Sequence, residues 1–244
     1  MRLLPPPKGS GFPPLNIFMK NIGIVAAVEM DAVKTLYGDA KEKKVCGGFD
    51  VFVYEKADVR LYVLHSGPGE ISAASAAQVL ISECHCELIA NFGVVGGLSE
   101  AMNHVNVAVV EKVVHYQFDT SEVDHCEVGL YLNEYPTIYM PATKELVDKA
   151  LEVEPDLVRV TCASGDKFVG LAEEKKEIAE KFKADICEME AAGIVKTANR
   201  NQVPCILIKM VADSIHGGAD EYWKMLESSS LKCLKVLDHI IDAL

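Results

Sequence analysis

The chain has 244 residues, 50% hydrophobic and 25% charged, a balance that excludes a disordered or low-complexity protein and suits one large folded domain. Thirty-six acidic against 24 basic residues leave a net charge of −12, so the surface repels phosphate backbones and anionic lipid, and neither polymeric nucleic acid nor a membrane is an expected partner. A small nucleoside in a pocket stays compatible with this charge, because pocket chemistry is local. No apolar run approaches the roughly 18 residues of a membrane span, and no basic segment precedes an apolar N-terminal core, so a cytoplasmic protein is expected.

Residues 1–18 hold five Pro and two Gly without periodicity and read as an N-terminal extension or leader; 19–244 read as a single domain. Short β-branched runs at 21–28, 51–54, 61–65, 87–92, 105–110, 159–163 and 205–211 predict strands, and 70–83, 142–151, 172–182, 189–202 and 221–244 predict helices. Several strands are apolar throughout, as expected when helices cover both faces. The pattern predicts a three-layer α/β/α fold with a central mixed, largely parallel sheet. The eight Cys mostly sit in apolar runs and read as reduced core residues. Cys84-His85-Cys86 lacks a second pair at zinc spacing, so no metal is expected.

Ligands of α/β sheets bind beyond the carboxyl ends of strands, which directs attention to the residues after each run. These are Glu29, Ser66-Gly67-Pro68-Gly69, Gly93 with Val94-Val95-Gly96-Gly97, Ser164-Gly165-Asp166-Lys167-Phe168-Val169, and Asp213. Each has an ordinary alternative: glycine turns are tight connections, Glu29 suits the positive end of a helix, and Glu188 and Glu190 suit another. Their convergence on one predicted edge is what points to a site.

Taken in order, these segments resemble the purine nucleoside phosphorylase/nucleosidase superfamily, and most closely its 5′-methylthioadenosine/S-adenosylhomocysteine nucleosidases, from about Asn21 to Leu244. The most specific pair is Glu188-Met189-Glu190-Ala191-Ala192-Gly193 followed by a strand ending in Asp213. The resemblance implies hydrolysis of an N-ribosidic bond of an adenine nucleoside, without metal or organic cofactor. Such a bond breaks through a sugar cation and a purine that must be protonated to leave. Asp213 then matches the acid that protonates purine N7, for which it must hold or share a proton. Glu190 matches the carboxylate that receives the ribose hydroxyls, and Glu29 the base that activates water. Met189 packs against the sugar, Glu188 lies beside it, Phe168 stacks on the base and Val169 offers its backbone; Ser66, Gly93 and Trp223 complete the implied substrate-binding set.

Glu29 in the first loop would repel phosphate, and none of the four Arg occupies a recognisable phosphate-binding position, so water is favoured over phosphate as nucleophile. The sequence departs from the family pattern in two places. Ala212 stands where a Ser usually supports the acid, and in 115–121 only Asp119 matches the segment that shapes the 5′ pocket. These departures keep open a phosphorylase, a nucleosidase for another purine nucleoside, and a catalytically inert nucleoside-binding domain. The resemblance further implies a homodimer acting in methionine salvage.

Overall fold

The computed structural model describes residues 21–56, 59–105 and 107–244. The proposed leader therefore lies outside the described residues. The chain runs β1 (Asn21–Ala26), α1 (Met30–Tyr37), β2 (Glu42–Cys46), β3 (Phe49–Lys56), β4 (Val59–His65), α2 (Glu70–Ser82), β5 (Leu88–Gly97) and β6 (Val107–His115). It continues with α3 (Ser121–Asp124), β7 (Tyr139–Pro141), α4 (Lys144–Val153), β8 (Val158–Ser164), α5 (Ala172–Phe182), β9 (Ile186–Glu188), α6 (Ala191–Asn201), β10 (Cys205–Asp213) and α7 (Ala219–Asp242).

The mixed α/β architecture expected from the pattern is present, and every predicted strand and helix has a counterpart. One feature goes beyond it: the sheet is not open. β5 pairs with β1, β10 and β9, and the path β10–β6–β8–β9–β5 returns to β10, closing five strands into a ring from which β1, β4, β3 and β2 extend. β1–β4, β1–β5, β5–β10, β6–β8 and β8–β9 are parallel, while β6–β10 and β5–β9 are antiparallel. Closure depends on β9, which is three residues long and lies against Gly96 and Gly97 of β5. A Cβ on Gly96 would stand 3.1 Å from Cys187 Sγ, so the missing side chain is what lets β9 come this close.

Unpredicted elements are short or polar. β2 (Glu-Lys-Lys-Val-Cys) is a mostly exposed edge strand paired with β3, β7 and β9 have three residues each, and α1 has eight. β5, by contrast, is buried along almost its whole length and is apolar but for Asn91, whose side chain donates to the Val25 carbonyl.

Candidate active site

Six strand ends meet at one rim. After β1 comes Glu29; after β4, the Ser66–Gly69 turn; β5 contributes Val94, Val95 and Gly96. The loop after β8 contributes Lys167, Phe168 and Val169, β9 ends in Glu188, and β10 ends in Asp213. Together with Ala27, Val28, Pro68, Cys187, Met189, Glu190 and Tyr222 they line one cleft that is partly open to solvent. Seven of the ten expected residues thus line a single cleft: Glu29, Phe168, Val169, Glu188, Met189, Glu190 and Asp213.

Glu29 stands at the N-terminus of α1 but makes no capping bond. Its Oε2 turns back to accept the Ala27 and Val28 amides at 3.1 and 2.9 Å, which fixes the carboxylate at the cleft wall. Gly93 does not line the cleft; its role lies beneath Glu29. A Cβ there would stand 2.7 Å from Glu29 Oε1 and 3.7 Å from Lys209 Nζ, so this glycine makes room for the carboxylate. Ser66 is likewise behind the wall, its hydroxyl donating to the Gly67 carbonyl at 2.7 Å and so shaping the turn. That turn places Gly67 and Gly69 at φ +73° and +102°, a region that L side chains avoid. The Gly69 amide then donates to Glu190 Oε1 at 3.0 Å.

Glu188 lines the cleft, yet its oxygens are occupied by the protein. Lys209 Nζ approaches at 3.0 Å, the Ser164 hydroxyl at 2.5 Å, and the Glu190 and Ala191 amides at 3.2 and 3.0 Å. Burial opposes its charge, but Lys209 and these donors outweigh it and hold the carboxyl below its ordinary range. Lys209 is held above its own range by the same pairing, again against burial. Glu188 is therefore the fixed anion on which the start of α6 is built.

Ser164 also settles a proton. Its Oγ contacts both Glu188 and Glu70, while the Ala192 amide donates to it. One hydroxyl has one hydrogen, so both carboxyl contacts are hydrogen bonds only if one acid is neutral. Glu70 is that acid: burial first, then the charge of Glu188, pushes it up to about 8. Its O–H donates to Ser164 Oγ, Ser164 donates to Glu188, and the Gly193 amide donates to the other Glu70 oxygen. Gly193 allows this docking, since a Cβ would lie 2.5 Å from the Glu70 carbonyl oxygen. Burial and the Glu188 charge also raise Glu190, whose carboxyl accepts one protein hydrogen bond among the described residues, from the Gly69 amide.

Asp213 is 1% exposed. Its pairing with β5 skips Ala212, so a bulge turns the carboxyl toward the cleft. Oδ2 lies 2.7 Å from Lys175 Nζ and Oδ1 accepts the Gly218 amide. The 214–218 loop wraps tightly around it: a Cβ on Gly217 would stand 2.5 Å from Asp213 Oδ1, and Glu221 accepts the Ser214 amide and hydroxyl, both at 2.7 Å.

At the mouth, Phe168 meets Tyr222 edge-on at 5.6 Å, and Tyr222 meets Trp223 at 5.3 Å. Tyr222 lines the cleft and Trp223 does not: 69% exposed, it stands outside, one helical position away. The expectation for Trp223 is corrected to Tyr222. Asp119 is also elsewhere, its Oδ1 accepting the Ser121 amide and hydroxyl at the start of α3. Among the described residues no group of His, Cys, Asp and Glu is arranged to hold a metal ion. Cys84 and Cys86 are buried in the core, away from the cleft lining.

Sequence reasoning missed Lys175, Lys209, Glu70 and the Gly217-Gly218 loop. Lys209 left a signal, a lysine inside the apolar run of β10. Lys175 left almost none, being one of several charges in α5.

The chain and its fold have clear relatives. The model of the phosphorylase superfamily matches residues 21–243. The chain belongs to that superfamily. The 5′-methylthioadenosine/S-adenosylhomocysteine nucleosidase of Haemophilus ducreyi is 28% identical over 79% of this chain and 84% of its own. That of Staphylococcus saprophyticus is 26% identical over 91% and 100%. Among solved structures, a futalosine hydrolase mutant of Helicobacter pylori superposes with a TM-score of 0.86 at 24% identity, covering 92% of this chain and all of its own. The methylthioadenosine/adenosylhomocysteine nucleosidase of Helicobacter pylori with a bound butyl-thio-DADMe-Immucillin-A gives 0.85 at 23%, covering 93% and 100%. At these identities the two structures establish the fold of this phosphorylase-superfamily member.

Proposed function

We propose that this protein is an N-glycosyl hydrolase that cleaves the N-ribosidic bond of an adenine nucleoside of the 5′-methylthioadenosine/S-adenosylhomocysteine type. The observation that carries the reading is the meeting of Glu29, Glu190 and Asp213 in one cleft beside an aromatic pair. The reaction needs an acid for the leaving base, a hydrogen-bond acceptor for the sugar and a base for water. Asp213 donates to N7, the unspent acceptor capacity of Glu190 receives the ribose hydroxyls, and Glu29 takes the proton of the attacking water. Phe168 and Tyr222 flank the base, and Val94 and Val95 form another part of the cleft lining.

Water is the nucleophile on this reading. Three of the four arginines are engaged at the surface, Arg60 with Glu55, Arg159 with Glu111 and Asp148, and Arg200 with Glu134, and the fourth, Arg2, lies outside the described residues. Among the described residues no arginine lines the cleft. Incubation with 5′-methylthioadenosine tests this: free adenine and methylthioribose in phosphate-free buffer support it, and product appearing only with phosphate, as a sugar 1-phosphate, overturns it. The altered 115–121 segment, in which only Asp119 matches the family pattern, favours one second reading, a nucleosidase with a different 5′ group; the same assay over a panel of purine nucleosides separates the two. No described helix is long and apolar enough to cross a membrane. The family resemblance supports a cytoplasmic homodimer in methionine salvage, and light scattering of the purified chain tests the dimer.

A further inference from the structure

α5 follows directly on the loop that carries Phe168 and Val169. Its buried stripe is Lys175, Ile178 and Phe182, so a lysine occupies a core position of an otherwise apolar seam. Lys176 and Lys181 on the same helix are exposed, whereas Lys175 is fully buried. Taking an ammonium out of water is costly, and an apolar side chain at such a place often gives an equally stable fold. Its partners show what it does there.

The Lys175 ammonium donates to Asp213 Oδ2 at 2.7 Å and to the Ser214 carbonyl at 2.6 Å. Nearby carboxylates are committed elsewhere, Glu174 to Lys167 and Glu221 to Ser214. Gly96 leaves the space: a Cβ would lie 3.3 Å from Asp213 Oδ2 and 3.6 Å from Lys175 Cε. Ala212, preceding the acid, has no hydroxyl with which to support it, and a lysine from a distant helix stands in that role.

We propose that Lys175 is a positioning residue for base protonation: it holds the Asp213 carboxyl at the cleft wall and stabilises the carboxylate that remains once the proton has moved to the purine. This rests on the nucleosidase reading above. As the C1′–N9 bond breaks, its electron pair passes to the purine and N7 takes the Asp213 proton. Water forms the new C1′–O bond and gives its proton to Glu29. Exchange with solvent returns one proton to Asp213 and removes one from Glu29, and Lys175 stays an ammonium throughout.

Adenine must be protonated to leave; 4-nitrophenolate need not be. The full chain and its Lys175→Gln and Lys175→Arg variants are therefore assayed with 5′-methylthioadenosine and with 4-nitrophenyl riboside. For the adenine nucleoside, Lys175→Gln is expected to lower kcat about 100-fold, the scale of one acid–base contribution, with KM within about threefold. Lys175→Arg restores about tenfold, and aryl riboside cleavage changes less than about threefold. Equal losses on both substrates, a loss confined to KM, or no loss overturns the proposal. If the unsubstituted chain does not turn over the aryl riboside, the kcat–KM split and the arginine rescue decide alone. Should Lys175→Gln fail to fold by circular dichroism, Lys175→Met, which fills similar space without charge, carries the same comparison. An unsubstituted chain inactive on every purine nucleoside overturns the nucleosidase reading instead, and does so before any substitution is made.

Discussion

Lysine–carboxylate pairs occur at both ends of the sheet at nearly the same distances. At the β2–β3–β4 margin Lys43 meets Asp50 at 2.8 Å with both side chains about half exposed, and Lys56 bridges Asp238 and Asp242 at 2.6 and 2.7 Å. At the cleft Lys209 meets Glu188 at 3.0 Å and Lys175 meets Asp213 at 2.7 Å, with no side chain more than 3% exposed. Distance does not separate the two sets; solvent does. At the margin, water already solvates each partner and the pair adds little. At the cleft both pairs are shut away from water, and removing Lys209 from its pair would leave Glu188 a buried, uncompensated ion.

This contrast can be broken most forcefully at the acid. Asp213→Asn keeps the shape and cannot supply the proton, so kcat should fall about 10³-fold or more while binding of a nucleoside analogue, measured by calorimetry, persists. Unchanged turnover would remove the acid from the mechanism. Lys209→Met strands Glu188 among buried groups and should destabilise the fold by about 3–5 kcal/mol in urea unfolding; a loss below 1 kcal/mol, of the order of a surface pair, would erase the distinction between the two ends.

Glu70 sharpens the comparison through pH. Its folded value lies above its ordinary one, so between about pH 4.5 and 8 the native state binds more protons than the unfolded state, and stability falls as pH rises through that window. Glu190 contributes in the same direction. Glu70→Gln reproduces the neutral acid, its amide donating to Ser164 and its oxygen accepting from Gly193. Tm at pH 6 should then change little and its decline toward pH 9 should become shallower; an unaltered slope would show that Glu70 is ionised. The smallest effect belongs to the margin, where Lys43→Ala should leave Tm within about 2 °C.

The site was legible where chemistry and chain position coincide. Glu29 and Asp213 follow apolar runs, and any α/β sheet collects its strand ends on one rim; Glu190 was named by the family resemblance of the Glu188–Gly193 segment. Trp223 was misplaced because neighbouring residues on a helix point about 100° apart, and sequence does not say which of Tyr222 and Trp223 turns inward. Glu188 looked like a sugar contact because nothing local shows that Lys209 and Ser164 already occupy its oxygens. β2 and β9 were invisible for a related reason: a polar edge strand and a three-residue strand carry too little periodicity to read.

The sequence by itself determined the alternation of strands and helices, the buried character of β5 and β10, and the identity of the three carboxylates at the rim, because burial and turn chemistry act over a few residues. Ring closure through β9, the bulge at Ala212, the upward shift of Glu70 and the pairing of Asp213 with Lys175 were decided only by the tertiary structure. Each depends on groups distant in the chain meeting in a space from which water is excluded, where the partner determines whether a charge can exist at all.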